Sequence, residues 1–497
     1  MHQPDQPLGL PRIETGVEGF EHISIGGLVK GRTTLVVGTS GSGKTLFSLE
    51  LLYRSVIQYN RPGIFVTFEE LPEDIVANVA RMGWELNKLI AEKRVVILDA
   101  SPQEELIGEI GPYDLSGIIA QIKDAISEIG AQFVVLDSLG GLFEQFGNPT
   151  AIRREVFRIV RTLRKNKVTS VVTAERLEEY GPLSRLGIEE FVSDCVVVLR
   201  QILVEERVRR TIQVHKLRGD IHRPNEFPFT ISDHGIVINP LSGAELDQAS
   251  SLERISFGTL ELDEMAGGGL FRDSVILVSG PTGGGKTLMC STFAAEGCRN
   301  GERVLFLGFE ESTPQLIRNA TSWGVDFQGW VAQGLLRLSC RYPESFGLET
   351  HLYAIRKEIE VFQPDRLVID SVSALERIGH TRNFREFVIS LTSYVKKQQI
   401  CSLFTCTSPR ISGGDSITET HISTITDAII LLRYVEVKAS LRRAIVIIKM
   451  RGSQHDKNVR EFTIDDRGLH IKEPFENVPN ILLGLPSSFT EENASNV

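Results

Sequence analysis

Two stretches of the chain carry residue types in an order suited to gripping phosphate. They are Gly38-Thr39-Ser40-Gly41-Ser42-Gly43-Lys44-Thr45 and Gly280-Pro281-Thr282-Gly283-Gly284-Gly285-Lys286-Thr287, each reading G-x-x-x-x-G-K-T. In such a loop the glycines let successive backbone N–H groups turn onto a polyphosphate. The lysine reaches the β- and γ-phosphates, and the threonine hydroxyl ligates Mg²⁺. Every residue of both loops is a candidate ATP contact, and Thr45 and Thr287 are also candidate metal ligands.

The motif works only between a strand and a helix. Thr33–Val37 and Ser274–Val278 are apolar, β-branched runs that predict buried strands, and Leu46–Leu52 predicts the helix that follows the first loop. Further apolar runs at Val95–Leu98, Phe133–Leu136, Ser170–Thr173 and Cys195–Leu199 alternate with helical segments such as Arg153–Lys165. That alternation predicts an α/β fold with a mainly parallel sheet flanked by helices, and phosphate at its carboxyl edge.

The chain also repeats itself. Arg12, Ile13, Gly16 and Lys44 align with Arg254, Ile255, Gly258 and Lys286 at an offset of 242 residues, and Phe68-Glu69-Glu70 with Phe309-Glu310-Glu311 at 241. Asp137-Ser138, Lys216, Arg218 and Asp233 align with Asp370-Ser371, Lys449, Arg451 and Asp466 at 233. Two P-loop ATPase domains in tandem are expected, over residues 12–240 and 254–475. An N-terminal extension (1–11), a polar linker (241–253) and a short tail (476–497) surround them.

Asp137 and Asp370 each close an apolar run and predict the strand-end carboxylate that organises Mg²⁺. Glu69-Glu70 and Glu310-Glu311 close another, where one carboxylate of each pair would orient or deprotonate the nucleophile; adjacent acids point opposite ways, and the sequence leaves open which of the two faces ATP. Lys216 with Arg218, and Lys449 with Arg451, alternate along a strand and so aim at one face, suited to neutralising phosphate. In ring ATPases such cations often come from a neighbouring subunit.

The 497 residues exceed what one core usually serves, while 41% hydrophobic and 24% charged residues are ordinary for globular domains. A net charge of -10 disfavours nucleic acid as a partner. Six cysteines without C-x-x-C or metal-ligand spacing point to reduced thiols. No leader or membrane-length apolar run is legible, so a cytoplasmic protein is expected.

These residues closely resemble the KaiC family, double-domain RecA-like ATPases and autokinases of the cyanobacterial circadian clock. The likeness runs from about Arg12 to about Pro479. It is carried by both phosphate loops, Thr67–Glu70, Glu178–Pro182, Lys216–Gly219, Phe229–Gly235, Gly268–Leu270 and above all Ser416–Asp427. The resemblance implies a double-ring homohexamer with ATP between subunits. It also implies slow hydrolysis in the first ring and reversible autophosphorylation of Ser423 and Thr424 in the second, with Thr418 a transient acceptor. The duplication supports this division, because an offset of 233 sets Glu190 and Phe191 where the second repeat has its two hydroxyls.

The resemblance further implies a KaiB-like partner on the N-terminal ring. The tail departs from the charged tail through which the family recruits KaiA, so a KaiA-independent homologue is expected. Two other functions compete: a RecA-like ATPase acting on DNA, and a hexameric scaffold merely held together by nucleotide. No basic or glycine-rich DNA loop is legible, and the retained glutamates argue against dead sites.

Overall fold

The computed structural model describes residues 10–101, 115–140, 149–183, 193–204, 206–238, 250–408, 422–437 and 440–476. Thr418, Glu190, Phe191 and the tail on which the KaiA expectation rests lie outside them. The chain divides into two compact units, residues 1–243 and 244–497.

In the first unit a nine-stranded sheet runs, in spatial order, Gly235–Ile238, Glu226–Ser232, Arg207–Leu217, Cys195–Val204, Thr33–Gly38, Thr169–Glu175, Phe133–Asp137, Gly63–Thr67 and Val95–Asp99. Pairing is parallel from Cys195–Val204 through to Val95–Asp99 and antiparallel across the other three strands. The sheet expected from the apolar runs is therefore present, with an antiparallel extension grown on one side. The second unit repeats the order from Leu336–Cys340 through Val304–Gly308, Arg366–Asp370, Cys401–Thr407, Val275–Gly280 and Ala428–Val437 to the antiparallel strands Ser440–Met450, Arg460–Asp465 and Gly468–Pro474.

The central strands read as unbroken apolar runs because both faces are covered. Val36, Phe65 and Val135 join one core with Phe47 and Leu51 of the helix Lys44–Tyr59. Their strand neighbours Leu35, Ile64 and Leu136 join a second core with Ile119 and Ile159 of helices Ser116–Ile129 and Pro149–Lys165. Successive strand side chains point to opposite faces, so each strand feeds both cores. The second unit splits Val278 and Phe306 from Leu277 and Leu307 in the same way.

The strand with the metal-type aspartate is one strand removed from the phosphate-loop strand. The gap between them is filled by Thr169–Glu175 in the first unit and Cys401–Thr407 in the second. All six cysteines are free thiols, five of them buried. Among the described residues no helix is long and apolar enough to cross a membrane.

Candidate functional site

Each phosphate loop leaves the end of a parallel strand and enters a helix whose N-cap is a left-handed glycine, Gly43 (φ 98°) or Gly285 (φ 102°). Neither helix has a side-chain cap, so its first N–H groups and its dipole are left for an anion. Only glycine adopts these angles without strain. A Cβ on Gly38 would also lie 2.3 Å from Ser42 Oγ, and one on Gly280 2.8 Å from Leu432 Cβ. The lysines fold back on their own loops: Lys44 Nζ donates to the Thr39 carbonyl (2.8 Å), Lys286 Nζ to those of Gly280 (3.0 Å) and Pro281 (3.1 Å). Burial lowers both ammonium pKa values, opposed by nearby carboxylates.

The residues suit a phosphate-bound Mg²⁺. Thr287 Oγ1 donates to Asp370 Oδ2 (2.7 Å), and Thr45 is likewise hydrogen-bonded to Asp137. The other carboxylate oxygen is held from the intervening strand, by Thr405 Oγ1 on Asp370 Oδ1 (2.5 Å) and by Thr173 Oγ1 on Asp137. Burial pushes the Asp137 carboxyl up despite these donors. Thr173 and Thr405 escaped the sequence reading. Their offset is 232, one residue out of step with the aspartates they serve, so the repeat hid them.

The serine after each metal-type aspartate engages the first glutamate of each pair. Ser138 Oγ donates to Glu69 Oε1 (2.6 Å), and Ser371 Oγ to Glu310 Oε1 (3.2 Å), so the first glutamate turns toward the metal-type aspartate's strand. Arg377 also lies 3.6 Å from Glu310. Both first glutamates act on the loop lysines. Glu311 turns away, accepting from Asn319 Nδ2 (3.0 Å). The carboxyls of Glu70 and Glu311 are raised, by burial first and then by Asp137 or Asp370. A cavity of about 200 Å³, lined by Glu310, Glu311, Thr313, Arg341 and Tyr342, opens beside the second pair.

The cations lie elsewhere. Lys449 is paired with Ile429, and Arg451 N donates to the Asp427 carbonyl, at the level where the phosphate-loop strand begins rather than where it ends. Lys216 and Arg218 occupy the same level in the first unit. About four residues at roughly 3.3 Å each separate that edge from the carboxyl edge, so none of the four is brought to its own phosphate loop. Lys449 Nζ instead donates to the carbonyls of Ser423 (2.5 Å) and Thr426 (2.7 Å), and Arg451 Nη2 to that of Thr424 (2.6 Å). Asp427, bound to Lys396 Nζ (2.7 Å), closes the segment. Lys216 Nζ reaches the Ser193 carbonyl (3.3 Å) in the parallel position.

Comparison with known proteins agrees with this geometry. The family model described as "ATPase: KaiC" matches residues 13–243 and 255–476. The circadian clock oscillator protein KaiC of Synechococcus elongatus is 51% identical over 486 residues, 98% of this chain and 94% of that protein. The circadian clock protein KaiC3 of a Synechocystis strain is 51% identical over 482 residues (96% and 95%), and KaiC of Prochlorococcus marinus 49% over 485 residues (98% and 97%).

Proposed function

The chain belongs to the KaiC family of ATPases, and from that premise we propose that it is an ATP- and Mg²⁺-dependent autokinase and autophosphatase with slow ATP hydrolysis, working as a phosphorylation-state timer. The observation that carries this reading is the clamp on the acceptor segment. Ser423 and Thr424 are gripped by Lys449 and Arg451 at the sheet edge opposite their own phosphate loop. On this reading transfer runs from the loop of one copy to the hydroxyls of the next, in the closed ring of six copies that the family resemblance implies.

In the second unit Lys286 and the N-terminus of its helix hold the triphosphate. Thr287 and Asp370 would hold Mg²⁺, which screens the developing charge when bound. Glu310 takes the proton as the Thr424 or Ser423 oxygen attacks the γ-phosphorus. The β–γ P–O bond breaks, and ADP departs with the electron pair. Reversal hands the phosphoryl group back to ADP. In the first unit water replaces the hydroxyl, Glu69 orients it, and Lys44, Thr45 and Asp137 fill the matching roles. A phosphate on the segment adds nearly two negative charges beside Lys449 and Arg451. That is enough to shift packing between copies, and with it the hold on a KaiB-like partner.

The test is incubation of purified protein with γ-labelled ATP followed by phosphosite mapping. Label on Ser423 and Thr424, absent from a Ser423→Ala/Thr424→Ala variant and strongly reduced in Glu310→Gln, is expected. Undiminished label in the double alanine variant would refute the assignment.

A further inference from the structure

Asp427, the carboxylate that closes the acceptor segment, is pinned from several sides. Its backbone N–H donates to the Val275 carbonyl (2.8 Å), where the second phosphate-loop strand begins, and its own carbonyl accepts from Arg451 N (2.8 Å). Its side chain accepts from Val275 N through Oδ2 (2.9 Å) and from Lys396 Nζ through Oδ1 (2.7 Å). Lys396 lies in the last turn of the helix Thr381–Lys397, next to the buried Val395, and its side chain is 14% exposed.

Arg451 faces the same carboxylate oxygen. Its Nη1 is 3.8 Å from Asp427 Oδ1, while its Nη2 donates to the Thr424 carbonyl (2.6 Å). Arg451 is exposed, so electrostatics more than packing set where its guanidinium rests. Two acceptors compete for it, and a carboxylate is ordinarily a stronger one than a peptide carbonyl. The guanidinium nevertheless sits on the carbonyl, and the oxygen it passes over is the one that Lys396 holds. These charges act on one another: burial first, then Arg451, lower the Lys449 pKa, Asp427 opposes them, and Lys396 adds a smaller push downward.

The first unit supplies a cation to the matching aspartate by another route. Asp194 N donates to the Thr33 carbonyl (3.0 Å) and Arg218 N to the Asp194 carbonyl (2.8 Å), while Asp194 Oδ1 accepts from Arg32 Nη1 (3.1 Å). Arg32 directly precedes the phosphate-loop strand, and the residue in its place in the second unit is Ser274. A cation on this carboxylate is thus provided twice, once from the strand entry and once from a helix.

We propose that Lys396 is a positioning residue for phosphoryl transfer: by occupying Asp427 it keeps Arg451 on the Thr424 carbonyl, and so keeps the acceptor hydroxyls in place for the neighbouring copy. This rests on the reading of Ser423 and Thr424 as acceptors of phosphate from the next copy's loop. Without Lys396 the uncovered carboxylate draws Arg451 across the 3.8 Å gap to hydrogen-bond distance, and the Thr424 carbonyl loses its donor. Lys396 acts through Asp427 and Arg451, and not on the reacting atoms.

The experiment combines two full-length chains in one assembly, one able only to donate (Ser423→Ala/Thr424→Ala) and one able only to accept (Lys286→Ala), co-purified through a tag on the first. Label from γ-labelled ATP is expected on the accepting chain; its absence refutes transfer between copies, and the proposal falls with that reading. With label present, Lys396→Met in the accepting chain should slow single-turnover labelling by about five- to thirtyfold, the cost of a small misplacement of the nucleophile. The ATP concentration giving half the maximal rate should not move. The same change in the donating chain should leave the rate alone, and Lys396→Arg in the accepting chain should restore it to within about threefold of the parent. The decisive variant is Lys396→Met/Asp427→Asn in the accepting chain. Its amide oxygen can still accept from Val275 N but carries no charge to attract Arg451, so the double variant should recover most of the rate that Lys396→Met loses. A double variant as slow as Lys396→Met or slower, or equal losses from either chain, is the signature of a pair that merely holds the fold together, and overturns the proposal. A rate unchanged by Lys396→Met in the accepting chain overturns it as well.

Discussion

The two phosphate loops match in their backbone and differ, among the described residues, in their electrostatic surroundings. Gly41 and Gly283 share φ 75°, Gly43 and Gly285 lie within a few degrees of one another, and the peptide bonds Asp137–Ser138 and Asp370–Ser371 are both cis. Thr–Asp pairs and serine-held glutamates recur. What differs is what stands next to the lysine and what stands at the far edge of the sheet. The first unit sets Glu175 and Glu179 against its loop; the second offers two hydroxyls, clamped by their backbone, to a neighbouring copy. Duplication kept the residues that grip phosphate, because their spacing is dictated by the phosphate. It left free the residues that choose the nucleophile.

The largest effects should come from breaking one loop at a time. Lys286→Ala should abolish phosphorylation of Ser423 and Thr424 by at least about a hundredfold while hydrolysis in the first unit continues, and Lys44→Ala should do the reverse. Labelled-phosphate incorporation and phosphate release, measured side by side, separate the two. Next comes the glutamate pair. Glu310→Gln should slow phosphorylation by about 10²–10⁴-fold, the usual worth of a positioned base, and Glu311→Gln by less than about tenfold. Equal losses would mean that the two acids act as a unit and that the parting of their side chains has no functional meaning.

A smaller effect should follow from loosening the clamp. Lys449→Ala frees the carbonyls of Ser423 and Thr426 and should slow phosphorylation by about ten- to a hundredfold, since small misplacements of a nucleophile cost that much. It should leave hydrolysis in the first unit alone. A rate unchanged in single-turnover transfer would show that the segment needs no such support.

The smallest effect concerns stability. Glu50, on the helix that follows the first loop, is 1% exposed and accepts from Ile236 N (2.7 Å) and Arg54. Burial, with a small push from Glu18, raises its pKa to about 7 against the pull of Ile236 N and Arg54. Because the folded value exceeds the ordinary 4.5, its contribution to stability is fully present below pH 4.5 and is lost as pH rises through about 7. Glu50→Gln stays neutral throughout. It should therefore gain up to about 3 kcal/mol on the parent across that window, and nothing further outside it. Thermal melts at pH 5 and pH 8 read the difference. The residue at the same place in the second unit is Thr292, which bonds the Leu288 carbonyl, so that unit should show no such dependence from this position.

Much of the candidate site was legible in the residues alone because its parts are local. A phosphate loop is eight consecutive residues, and the aspartates and glutamate pairs each end a short apolar run. The parallel sheet was legible for a similar reason: strands covered on both faces must be apolar throughout, as Phe133–Leu136 and Leu367–Ile369 are. The antiparallel extension was less visible, since Arg207–Leu217 is half-exposed and rich in arginine. Which glutamate turns toward the phosphate side was left open, because two adjacent acids look alike until Ser138 and Ser371 are folded against one of each pair. Thr173 and Thr405 were missed because a single-residue slip between the repeats hides their equivalence.

The sequence by itself determined that there are two phosphate loops with metal-type aspartates and paired glutamates, that the chain is a duplication, and that only the second copy carries adjacent hydroxyls at the matching place. Each is a matter of residue type at fixed spacing, which folding does not alter. Only the tertiary structure decided that Lys449 and Arg451 hold the carbonyls of those hydroxyl residues at the edge away from their own loop, and that a strap from a neighbouring strand brings Glu179 to Thr39. Those groups are 26 to 140 residues apart in the chain; the first meet because Ala428–Val437 folds back on Ser440–Met450, the second because Thr33–Gly38 and Thr169–Glu175, distant in sequence, lie side by side in one sheet. The register of those strands sets which edge each side chain reaches.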